Sequence, residues 1–132
     1  MLSKTIQLKI IQYFHLFIDI IQPLYLILFF NNKKYDIYFL GFISTIILHW
    51  TLLKNECILS YLEKKIMDKN YKYGDRPYEH PYRKIIPDFY MKILDNLKKL
   101  TLGVVFLRNL NNIYLFIFTL IILIIKYICE KK

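Results

Sequence analysis

Three stretches of the chain are almost uninterruptedly apolar, at residues 10–30, 37–53 and 110–128. A helix of about 20 residues rises ~30 Å, the thickness of a bilayer's hydrocarbon core. Lys4 and Lys9 precede the first stretch, and Asn31-Asn32-Lys33-Lys34 separates it from the second. So short a connection predicts a tight antiparallel helical hairpin. The helical period continues past the second stretch through Glu56-Cys57-Ile58-Leu59-Ser60-Tyr61-Leu62-Glu63, which predicts that the same helix runs straight on. The first stretch lacks a small-x-small cleavage site and reads as a retained membrane helix.

The polar interval 54–99 carries 11 basic and 7 acidic residues. With Lys4 and Lys9 it marks one side of a membrane, cytoplasmic by the positive-inside rule. Gly74, Pro77, Pro81 and Pro87 make its middle turn-rich. Asp88 is a good N-cap, and Phe89, Ile93, Leu97 and Leu100 recur at helical spacing opposite Lys92, Asp95, Lys98 and Lys99. This predicts an amphipathic helix over about 88–100, lying in the inner interface. The expectation is an all-α, multi-pass integral membrane protein: one membrane domain over 1–132, three transmembrane helices, an interfacial helix and a cytoplasmic N-terminus. Lys131 and Lys132 sit awkwardly on the far side of that threading. An even number of spans would remove the conflict, but residues 100–107 are too few to span before Arg108-Asn109.

Composition agrees with the pattern. The 132 residues are 56% hydrophobic and 17% aromatic, which excludes a disordered chain, a collagen and a disulfide scaffold. Ile, Lys, Tyr, Phe and Asn make up 69 of the 132 residues and Ala is absent, as AT-rich codons would produce. Aromatic counts therefore carry no functional weight, while the 3 His, 2 Cys and single Trp do. The net charge of +9 flanks apolar segments. It fits a lipid bilayer with anionic headgroups as partner, and not nucleic acid. Oligomerisation is left open, since there is no Gly-x-x-x-Gly pair to argue it.

Polar residues inside the apolar stretches need a reason. Gln12, His15, Asp19 and Gln22 share a face of the first helix, within an arc of about 80°. Tyr38, Thr45, His49, Glu56 and Glu63 form a second stripe on the following helix. In an antiparallel hairpin His15 and His49 are nearly level and Asp19 is level with Thr45. A buried cluster of His15, Asp19 and His49 is expected, with Glu56 below it. A charge at the bilayer centre costs at least ~2.5 kcal/mol, so none of these should face lipid. The cluster reads either as a hydrogen-bonded clasp or as a His-centred site for metal, haem or protons, with His15 and His49 the metal candidates. No cofactor is specified. His80 reads as solvated. Cys57 reads as a packed thiol, as a thiolate ligand or redox thiol, or as a juxtamembrane palmitoylation site, and its neighbour Glu56 would raise its pKa. The second thiol, Cys129, falls on the opposite membrane face in this threading, so no intrachain disulfide is expected.

Cys57-Ile58-Leu59-Ser60 followed by Leu62-Glu63, with His15 in the first helix and His49 in the second, resembles a small bacterial integral-membrane family. That family carries a Cys-Pro-Leu-Thr motif followed by Leu-Glu, and Ile58 stands where it has Pro. The chain is also similar to membrane proteins of large DNA viruses of protists. The resemblance implies conserved positions at Cys57 and Glu63 and no mechanism. No catalytic signature is present. The leading expectation is a structural or accessory membrane protein, more readily a non-enzyme; the alternative is a His-centred cofactor or proton-relay protein.

Overall fold

The computed structural model of the chain describes residues 1–131, and Lys132 lies outside the described residues. It is all-helical, with no strand among the described residues. Helix α1 spans Lys4–Leu28, α2 Asp36–Leu52, α3 Ile58–Met67, α4 Asp88–Leu107 and α5 Ile113–Glu130. Short 3-10 turns occupy Lys33–Tyr35 and Pro81–Ile85. Ser3 caps α1 by accepting from the Ile6 amide, and Asn112 caps α5 by accepting from Tyr114 and Leu115. These side chains satisfy amides that the first turn of a helix leaves free.

The second helix does not run on as its period predicts. It stops at Leu52, and Lys54 and Asn55 take left-handed φ of 52° and 59°. Ile58 therefore opens a new helix instead of extending a straight one. The break turns Glu56 inward, where its carboxylate accepts from Lys64 Nζ at 2.7 Å, Tyr71 OH at 2.5 Å and the Gly74 amide at 2.7 Å. A buried carboxylate needs such donors, and a continuous helix would aim it elsewhere. These bonds tie the Pro- and Tyr-rich loop to the body of the protein.

A second difference concerns α4. The expected interfacial helix ended near residue 100, but α4 continues to Leu107 and packs along α1. Its buried face, Met91, Thr101 and Val105, carries the apolar stripe through residues 100–107. Arg108 then meets the far end of α1. It donates to Phe30 O at 2.8 Å and grips Asp36, whose carboxylate also accepts from Tyr25 and Asn109. The α1–α2 and α4–α5 connections thus share one end of the molecule, and α5 returns beside α2. The main core sits between α2, α4 and α5, with Phe39, Leu40, Ile43, Val105 and Leu115 buried together.

By length and composition two helices, Lys4–Leu28 and Lys33–Leu52, are able to cross a membrane. Ile113–Cys129 is apolar but shorter, so the three expected spans reduce to two by this measure. The outer faces are apolar: Phe14, Phe17 and Leu24 of α1 and Ile117, Leu120 and Ile121 of α5 are all exposed.

Candidate functional site

His15 and Asp19 of the α1 stripe are buried and Gln12 and Gln22 half-buried, but α2 is not what meets the two buried ones. α1 packs chiefly on α4, α3 and the 3-10 turn Pro81–Ile85, where His15 and Asp19 find their partners, while Gln22 bonds Ile18 O of its own helix. His15, only 5% exposed, sits between two groups from one side of the fold. Its Nδ1 is 3.1 Å from Glu63 Oε1, and its Nε2 is 3.7 Å from Cys57 Sγ. The Tyr82 ring lies on the imidazole with centroids 3.8 Å apart, and His80 stands edge-on at 6.2 Å. Four side chains, two from α3 and its cap and two from the 3-10 turn and its cap, surround one histidine ring.

Each neighbour has its own reason to be there. Cys57 is the residue before α3, so the helix break that turns Glu56 inward also points Sγ at α1. Glu63 lies on the next turn but one of α3 and is fully buried. Its Oε2 has no hydrogen-bond partner among the described residues, so His15 is the group that answers its charge. That bond holds a proton on Nδ1 and leaves Nε2 toward the sulfur. Asp19 accepts from the Tyr82 hydroxyl and from Lys98 Nζ at 3.0 Å. Ser60 and His80 Nδ1 are 2.7 Å apart.

The electrostatics follow from this packing. Burial opposes ionisation of Cys57, but the hydrogen bond to His15 outweighs it, and the thiol is held below its usual range. The Ser60 and Leu59 amides at the start of α3 act in the same direction. Glu56 was expected to raise this thiol, yet its carboxylate is engaged by Lys64, and the neighbour in space is His15. His80 is pushed down to about 4, first by burial and then by the surrounding positive charge. It is therefore neutral near pH 7, and its Nδ1 shares a hydrogen bond with the Ser60 hydroxyl. The expectation that His80 is solvated is corrected: it is half-buried because the 3-10 turn folds it under α3. Burial and the Asp19 carboxylate push the Tyr82 hydroxyl up.

Of the expected cluster, His15 and Asp19 are buried side by side on α1, while His49 is only half-buried and differently engaged. Its Nε2 accepts from the Ile58 amide at 3.1 Å, so it caps α3. Glu56 belongs to the loop-anchoring network. Among the described residues no three or more His, Cys, Asp or Glu side chains gather in positions able to hold a metal ion. The geometry explains this for His15: Cys57 and Glu63 sit on opposite edges of its ring and do not converge. His15, Asp19, His49, Cys57 and Lys98 do share one cavity of about 380 Å³ between α1, α2 and α4.

Glu63, Tyr82 and Lys98 as partners of α1 were not legible from spacing. The one available signal was the need itself: an Asp and a His inside an apolar helix demand donors and acceptors, and 54–99 is where the charges are. No family model, no curated protein and no solved structure matches the chain.

Proposed function

We propose that the chain is a multi-pass membrane protein in which Cys57, His15 and Glu63 form a thiol–imidazole–carboxylate relay, with the thiol as nucleophile. The observation that carries this reading is the aligned geometry of three buried side chains, one from α1 and two from the start and middle of α3. Cys57 Sγ faces His15 Nε2 at 3.7 Å, and His15 Nδ1 faces Glu63 Oε1 at 3.1 Å. A cysteine nucleophile needs a base within reach and a third group that orients the base, and this set supplies both roles. Cys57 also borders a cavity that a reactant can occupy.

The membrane part rests on the exposed apolar faces of α1 and α5, too extensive for a chain surrounded by water. In this reading four helices cross as two hairpins, and an even number puts Lys4, Lys9, residues 54–87 with the charged start of α4, and Lys131 on one side. That side is the cytoplasmic one, against anionic headgroups. Two charges of α4 are paired, Asp95 with Arg83 at 2.5 Å and Lys98 with Asp19, while Asp88, Lys92 and Lys99 stay exposed over its first turns, which fits that end of the helix standing in the headgroups.

A second reading is a structural or accessory protein in which the polar residues only fix packing. It is favoured by Glu56 and Lys64, whose bonds are all consumed in holding the loop. Alkylation separates the two. In a Cys129→Ser background, iodoacetamide should modify Cys57 at pH 6 at least about tenfold faster than an ordinary thiol of pKa ~8.5. His15→Gln should remove that advantage. A rate at pH 6 no faster than an ordinary thiol's, or one unchanged by His15→Gln, would favour the structural reading.

A further inference from the structure

The cavity beside Cys57 has two kinds of wall. His15, Asp19 and Lys98 line one side, and the Asp19 charge is already answered by Lys98 and Tyr82. Gln22, Thr45 and His49 add polar atoms at other points of the lining, and most of the remaining wall is apolar, built by Phe42, Ile46, Ile47 and Trp50 of α2, Ile18 of α1 and Leu102 of α4. Its volume of about 380 Å³ falls in the range of about 300–1,000 Å³ typical of small-molecule sites. A small polar reactant would leave those walls unfilled. An apolar chain would fill them and be driven there by removal of its surface from water. A nucleophile at one end of an apolar slot also decides which atom of the ligand it meets.

Resting on the relay described above, we propose that this cavity receives the chain of an activated fatty-acyl group and that Cys57 carries the acyl group as a thioester. The donor is a fatty-acyl thioester or a lipid ester, and both present the same electrophilic acyl carbon. His15 Nε2 takes the thiol proton, and the new bond forms between Sγ and that carbon. The bond from the carbon to the donor's sulfur or oxygen breaks, and the departing thiolate or alkoxide takes the proton back from His15. No oxidation or reduction occurs, and no further reactant is consumed. Glu63 acts through His15 as a positioning residue.

The test uses the full chain with Cys129→Ser, purified in detergent. It is incubated in parallel with palmitoyl-coenzyme A, with acetyl-coenzyme A and with phosphatidylcholine vesicles, and read by intact mass and peptide mapping. The expected result is one long-chain adduct, on Cys57, released by neutral hydroxylamine and formed at least tenfold faster from palmitoyl- than from acetyl-coenzyme A. An adduct from palmitoyl-coenzyme A alone assigns a thioester donor, and one from vesicles assigns a lipid ester donor. Equal rates for the palmitoyl and acetyl groups would overturn the role given to the cavity. No adduct from any donor, while Cys57 keeps its His15-dependent alkylation at pH 6, would overturn the substrate and leave the relay standing. Loss of that alkylation advantage as well would overturn both.

Discussion

Lys64 is 2% exposed and Glu56 is fully buried, and the two meet as an ion pair at 2.7 Å. Lys64 uses its three protons on Glu56, Tyr71 OH and Arg76 O, so its hydrogen-bonding capacity is filled. Removing one member of such a pair leaves an uncompensated buried charge, which costs about 3–5 kcal/mol. Lys64→Met should therefore lower unfolding stability by about that amount, and Glu56→Gln in the Lys64→Met background should recover much of it; thermal unfolding in detergent reads both. His80 makes the opposite kind of contribution, because burial keeps it neutral. Its folded pKa, about 4, lies below the ordinary value of 6.5, so an unfolded chain binds its proton first. Stability from His80 is full above pH 6.5 and is lost as pH falls toward 4. The melting temperature should fall through that window, and His80→Gln should flatten the fall. A wild-type curve that is level from pH 6.5 to 4 would contradict the burial of this ring.

At the scale of elements, the decisive feature is the break between α2 and α3. It converts a predicted straight helix into a corner, and that corner aims Glu56 at the loop and Cys57 at α1. Gly74 belongs to the same device. Its φ is +84°, its amide bonds Glu56 Oε2, and a Cβ there would lie 3.0 Å from the Lys54 side chain. Gly74→Ala should cost about 1–3 kcal/mol, the usual charge for a non-glycine residue in a left-handed conformation, and should loosen the loop to proteolysis. The hydrophobic period told much of the story: the first two apolar helices, the start of α4 at Asp88 and the turn-rich middle can all be read from it. The corner could not, because Leu53 to Glu63 has a period that suits one helix equally well. What decides against that helix is a tertiary demand, the burial of Glu56, Glu63 and Lys64, and local spacing does not record it. The same blindness made α2 the expected partner of His15 and Asp19. Level depth on a hairpin permits contact, but α4 and α3 occupy that face.

For the whole molecule, the proposed membrane threading, two hairpins with both tight connections at one end, is open to direct measurement. Single cysteines introduced near residues 31–34 and 110–112, in a chain free of other thiols, should label from one side of sealed vesicles. Those at 68–70 and at Lys131 should label from the other. Label on Lys131→Cys from the side of 31–34 would restore three spans and separate α5 from α2. The hairpins matter for chemistry because the proposed relay belongs to no single element. His15 is central in α1, Cys57 and Glu63 come from α3, Tyr82 from the 3-10 turn, and each is oriented by packing that the others complete. The most direct measurement is a titration of thiolate ultraviolet absorbance on the folded Cys129→Ser protein. The thiolate of Cys57 should appear below the ordinary thiol value of ~8.5, and both His15→Gln and Glu63→Gln should move it upward. A thiolate that appears at or above the ordinary value, or that ignores His15, would contradict the relay.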